Sequence, residues 1–269
     1  MNYIYGSIGY TILKLNYKKV IILSDMHDVL KPCNKNEIFI SKWLENKILM
    51  NKSKILLEEV PNNHNNLKLL WEESPHTNEL KKLYLKKSHL IVGIDIRYLL
   101  IPFSLELIND INTDIYIYEY LKTVNDFFSL IFYKLNNFKY FKLINLKNTL
   151  IGRHFIKIKN NYKKFLLKYE KILNKKIVST ITSEFINDFN DILNDIIEWY
   201  TCACIFEYDN KSIIIHIGLY HAEKIINLLI TIYNFKIINI YGINKIKETD
   251  HIIEHDGCVM LTDNINNEL

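Results

Sequence analysis

Four short apolar runs in this chain end in side chains able to move protons or hold a cation. They are "VIILSDMHD" (Asp25, His27, Asp28), "KILLEEV" (Glu58, Glu59), "LIVGIDIR" (Asp95, Arg97) and "SIIIHIGLYH" (His216, His221). A run of Val, Ile and Leu bounded by charge reads as a buried strand that delivers its last residues to a sheet edge. If the four strands are neighbours, carboxylates, imidazoles and a guanidinium converge there. Histidine with Asp or Glu suits a divalent cation, or a general base beside an electrostatic clamp. Each element also has a plainer reading. Asp25 and Asp28 could cap a helix or a turn. Glu58 and Glu59 point apart if the strand runs through them. Arg97 could be the structural partner of Asp95, and His216, inside an apolar strand, reads as a satisfied core histidine. His221 follows Gly218 and leads into a helix, so its ring can face the edge. His76 in "ESPHTNELK" sits beside a helix start and could reach the same edge, although its context reads more simply as surface. His154, His251 and His255 receive no role.

The elements that would position these residues alternate. "GSIGYTILKL" and "KKVIILSD" read as strands joined by a turn at Asn16-Tyr17, "EIFISKWLENKIL" as a helix, "KILLEEV" as a strand, "HTNELKKLYLKK" as a helix and "HLIVGIDI" as a strand. From about Pro102 to Tyr200 the patterns turn mostly helical. Strand, helix and strand then return in "SIIIHIG", "YHAEKIINLLITIYN" and "FKIINIYGI". This rhythm predicts an α/β fold with a mostly parallel central sheet, flanking helices and a long helical insertion over 103–200 within one domain spanning 1–269.

Composition sets outer bounds. The 269 residues are 49% hydrophobic and 24% charged, the balance of a folded protein with a sizeable core. The most apolar stretch, "HLIVGIDIRYLLIPFSLELI", carries Asp95 and Arg97 near its middle, which a bilayer would penalise, so no membrane partner is expected. The N-terminus lacks the features of a signal peptide. Cysteines 33, 202, 204 and 258 show no zinc-ribbon spacing and read as reduced thiols of a cytoplasmic protein. The net charge of +4 hides a strongly basic block: Lys134 to Lys176 holds 13 Lys or Arg and one acid, Glu170.

The order of the polar motifs resembles the TIKI/TraB/erythromycin-esterase-like superfamily, with its early His element, internal Glu and late Gly-x-x-His on a strand-to-helix turn. The late motif stands intact as Gly218-Leu219-Tyr220-His221. The early one, Ser24-Asp25-Met26-His27, has Ser where that family often has Gly. The chain also resembles a group of giant-virus proteins through "GSIGYTI", "SDMHD", "LLEEVP", "DIRYLLIPFS" and "EWYTCACI", a likeness that brings no activity but would place the chain in host cytoplasm or a virion. The superfamily implies a hydrolase of peptide, amide or ester bonds, metal-dependent in one branch and esterase-like in another. Carried over by motif, His27, Glu58 or Glu59, and His221 are the site residues, with Asp95 and Arg97 in support and a slight preference for Glu59. A divalent metal, of unspecified identity, would be held by Asp25, His27, Glu59 and His221. "LSDMHD" also fits the opening of a metallophosphoesterase, but the Gly-Asp, Gly-Asn-His and Gly-His-x-His elements that complete a two-metal site are missing.

The substrate stays unnamed and could be anionic. A competing reading uses the basic block: Lys and Arg neutralise phosphates, and the interleaved Phe138, Tyr140, Phe141, Phe155, Tyr162, Phe165 and Tyr169 could stack on bases of a nucleic acid. Amphipathic helices with Lys outside and aromatics inside produce the same pattern. A catalytically inactive relative with a structural role is the third reading.

Overall fold

Asn16 adopts the left-handed conformation (φ 53°) that reverses the chain between the first two long strands, as the Asn16-Tyr17 turn requires. The computed structural model in which this is seen describes residues 2–26, 37–50, 53–61, 75–110, 114–130, 149–209, 211–248 and 257–261. The chain divides into two compact units: Met1–Asp95 with Cys204–Leu269, and the inserted Ile96–Ala203.

The first unit runs β1 (Asn2–Tyr5), β2 (Gly9–Leu15), β3 (Lys18–Asp25), β4 (Glu37–Phe39), α1 (Ile40–Leu49), β5 (Ser53–Leu57), α2 (Pro75–Lys87) and β6 (Ile91–Gly93). The insertion holds α3 (Arg97–Leu100), α4 (Ile117–Tyr120), α5 (Lys122–Leu130), α6 (Leu150–Lys168) and α7 (Ser183–Glu207) up to Ala203. The first unit then resumes with β7 (Ser212–Gly218), α8 (Leu219–Thr231), β8 (Lys236–Gly242) and β9 (Cys258–Leu261).

Six strands form the main sheet in the order β6-β5-β7-β3-β2-β8. The pairings of β6 with β5, β5 with β7, and β7 with β3 are parallel, so the four strands singled out for their polar ends are contiguous and share one carboxyl edge. The fold class is the expected α/β one, with a mostly parallel sheet. The far side departs from parallel: β2 pairs antiparallel with both β3 and β8. β7 is buried along its whole length and β3 along nearly all of it, which is why they read as continuous Ile-rich runs rather than alternating ones. Alternation sends Ile21, Leu23, Ile55, Leu57 and Ile214 to one face, where they pack with Trp43 and Leu44 of α1 and Leu80 and Tyr84 of α2. Each such side chain contributes about 1.5–3 kcal/mol by leaving water. α8 packs on β3 and β7 from outside that cluster.

A second, three-stranded sheet, β4-β1-β9, was not legible in the sequence. Glu37–Phe39 fits the helical spacing assigned to it, yet these residues pair with β1 as a strand, and the helix begins only at Ile40. Hydrogen bonds from distant β1 decide the matter, and periodicity cannot see them.

The described insertion is helical and aromatic inside. Phe127, Phe155 and Trp199 pack edge-on or tilted, and Trp199 donates its indole N–H to the Ile151 carbonyl at 3.0 Å. Thr149 caps α6 by accepting the Gly152 N–H at 3.1 Å. In α6, Phe155, Tyr162 and Phe165 are buried while Arg153, Lys157, Lys163 and Lys164 are exposed. The interleaving there is that of an amphipathic helix, and these three rings are core, not a stacking platform. Phe138, Tyr140 and Phe141 lie outside the described residues. Among the described residues no helix is long and apolar enough to cross a membrane. Cys202 and Cys204 are buried thiols outside any disulfide, but Cys258 is disulfide-bonded, so the expectation of four reduced thiols fails there. Spacing alone could not reveal it.

Candidate functional site

The carboxyl edge of the four parallel strands holds two separate imidazole–carboxylate pairs. Strand β3 ends in Asp25, which is wholly buried and on the same face as Leu23 and Ile21 by alternation. Its two carboxylate oxygens lie 2.9 and 3.0 Å from Nε2 of His76, in the first turn of α2 and equally buried. His76 is therefore not the surface residue its sequence context suggested. Pro75 opens the helix, and the imidazole one residue on is carried down onto the sheet edge.

His216, near the end of β7, lies beside this pair. Its Nε2 stands 2.8 Å from the Gly6 carbonyl and 4.0 Å from Asp25 Oδ2. A carbonyl can only accept, so Nε2 of His216 carries a proton. The core-histidine reading thus describes its hydrogen bond, while its position borders the acid. Gly6 has φ 103°, and a Cβ there would come within 2.7 Å of Ile40 Cγ2 and 2.9 Å of His76 Cβ. Only glycine permits this close approach. Tyr5, just before it, sets its ring edge-on to His76 at 6.1 Å. Burial first, then the negative charges of Glu37 and Asp25, push the Tyr5 hydroxyl above its ordinary pKa, so it stays protonated. No sequence signal marked Tyr5, because β1 itself was not foreseen.

The second pair belongs to β5 and α8. Past Leu57 the chain bends: Glu58 N–H still donates to the His216 carbonyl at 3.1 Å, but Glu59 N–H turns back to Leu57 at 2.7 Å. Strand alternation therefore stops before the two glutamates. Glu58 Oε2 accepts the Gly218 N–H at 2.6 Å, at the start of α8, and Glu58 Oε1 lies 3.9 Å from His221 Nε2. Both side chains are nearly buried, at 8% and 4% exposure for His221 and Glu58. Glu58 is thus a carboxylate set against His221, where the sequence preference was for Glu59. Glu59 is half-buried and offers its carbonyl to the Asp95 N–H at 3.1 Å.

The remaining expected site residues divide. Asp95 is buried just beyond β6, where it closes the first unit. Arg97 begins α3 in the second unit and donates to Asn194 Oδ1 at 3.1 Å. The strand spacing from which a pairing with Asp95 was expected does not apply, because the strand ends at Gly93 and a helix starts at Arg97. His27 and Asp28 lie outside the described residues. Of the donors expected for a divalent metal, His27 lies outside the described residues; among the described residues no three His, Cys, Asp or Glu side chains form a group that could hold a metal ion.

Comparison of the chain with protein-family models, curated proteins and solved structures finds no match.

Proposed function

We propose that the chain is a hydrolase of acyl bonds in which His221 does the proton transfer and Glu58 positions it. The observation carrying this reading is the pinned carboxylate. One oxygen of Glu58 is fixed by a backbone N–H at the start of α8, and the other faces the imidazole of His221 at the carboxyl edge of four parallel strands. A separation of 3.9 Å is a loose contact of the kind that tightens when substrate closes a site. His221 would take a proton from water as its oxygen attacks the acyl carbon, with Glu58 stabilising the imidazolium. The same imidazolium would return the proton to the departing amine or alkoxide as the C–N or C–O bond breaks. Asp25 and His76 would hold the neighbouring part of the edge rigid. The choice of ester, amide or peptide bonds follows the motif likeness of Gly218–His221. The test is a panel of chromogenic esters, anilides and short peptides. Turnover by the parent chain, reduced about 100-fold or more by Glu58→Gln, supports the proposal; no turnover, or turnover indifferent to Glu58→Gln, removes it.

The exposed Arg153, Lys157, Lys163 and Lys164 on α6 sustain a second reading, binding of a polyanion. Its signature is affinity for single-stranded nucleic acid that falls steeply with salt and on charge reversal of these four residues.

A further inference from the structure

The two edges of the main sheet are unlike each other. At one, β6 is only three residues long, the short kind of edge that invites no pairing. At the other, β8 runs seven residues, Lys236 to Gly242, and among the described residues it pairs on one side only, with β2. Soluble proteins normally blunt a long edge with charge, proline or bulges. Between Lys236 and Gly242 there is no charge and no proline, and one register shift against β2. Instead Ile237, Ile238 and Ile240 stand 43%, 50% and 50% exposed, Ile238 at the point where the register with Ile12 and Leu13 shifts.

We propose that β8 is a self-association edge that pairs antiparallel with β8 of a second copy of this chain, about a two-fold axis through Asn239. The strand Lys-Ile-Ile-Asn-Ile-Tyr-Gly is self-complementary when read against itself in reverse. Ile238 then opposes the partner's Ile240, Ile237 opposes the partner's Tyr241, and Asn239 meets its own equivalent. The only charge, Lys236, falls opposite a glycine at the far end, so the two lysines are kept apart. A parallel partner would place the lysines side by side, and like charges directly opposite are destabilising. Closed two-fold pairing of one patch with itself is the commonest form of homo-oligomer, and here it would join the two six-stranded sheets into one.

The test is sedimentation equilibrium of the full chain from micromolar to hundreds of micromolar. The expected parent mass at the upper end is that of a dimer. Ile238→Lys alone and Ile240→Glu alone should each give a monomer, since each buries a charge against isoleucine. The double variant Ile238→Lys/Ile240→Glu sets opposite charges across both halves of the seam and should restore the dimer, which a different register or occupant would not do. All these sites are half-exposed, and far-UV circular dichroism checks that folding is unchanged. A monomeric parent at every concentration overturns the proposal, as do single variants that stay dimeric or a folded double variant that stays monomeric.

Discussion

The two imidazole–carboxylate pairs on the sheet edge use the same chemical groups to different ends. Asp25 and His76 are sealed from solvent, with both carboxylate oxygens at hydrogen-bond distance from one ring nitrogen. Glu58 and His221 stand further apart, and Glu58 divides its oxygens between a backbone N–H and the ring. A wholly buried carboxylate with both oxygens on one imidazole acts as a scaffold, because removing it breaks a buried pair. A carboxylate held by the backbone, with an oxygen left to face its imidazole, can change that contact as a proton moves. On the proposed function, the first pair serves stability and the second chemistry.

That assignment orders the consequences of substitution. Asp25→Ala should have the largest effect on folding, about 3–5 kcal/mol in chemical denaturation, since it leaves His76 buried without its carboxylate. A loss below about 1 kcal/mol would put Asp25 among weakly contributing groups and dissolve the contrast. His154 gives a control from the other unit, a buried imidazole whose environment opposes charge. Burial, followed by nearby Lys157, lowers its pKa from 6.5 to about 4. The unfolded chain therefore takes up a proton near pH 6.5 that the folded chain takes up only near 4, so stability contributed by neutral His154 is full above 6.5 and lost as pH falls toward 4. The loss should approach about 3 kcal/mol, and His154→Phe should flatten unfolding free energy across that window. Gly6→Ala should cost about 2 kcal/mol, from strain at φ 103° and the clash with His76. It should also perturb the Asp25 pair, visible as shifted His76 ring resonances; unchanged resonances with full stability would mean that Gly6 does not position it. The smallest folding effect belongs to Glu58→Gln, about 1 kcal/mol, because an amide oxygen can still accept from Gly218. Its cost should appear in turnover instead.

Much of this arrangement was legible in the sequence, for a physical reason. Buried parallel strands leave continuous apolar runs, and their ends are where polar residues reach a crevice, so Asp25, Glu58 and His221 announced themselves. What escaped notice depended on contacts between distant segments. His76 looked like surface because a helix start carries no mark of what it packs on. Glu59 was slightly preferred over Glu58 as the last apolar-flanked position before Val60-Pro61, a rule that does not see the hydrogen bond from Glu59 back to Leu57 that bends the chain there. Arg97 was assigned to a strand that ends four residues earlier. Tyr5 and Gly6 were missed because strand β1 owes its existence to pairing with β4 and β9, neither of which has a strong pattern of its own.

The most direct measurement is kcat/KM of His221→Asn beside the parent chain on the substrate class that gives turnover, with unfolding free energy measured on the same samples. The account predicts a fall of about 100- to 10,000-fold with stability changed by less than about 1 kcal/mol. Retained turnover in a folded His221→Asn protein would contradict it, and would return the chemistry to the Asp25 and His76 pair or take it away from this edge altogether.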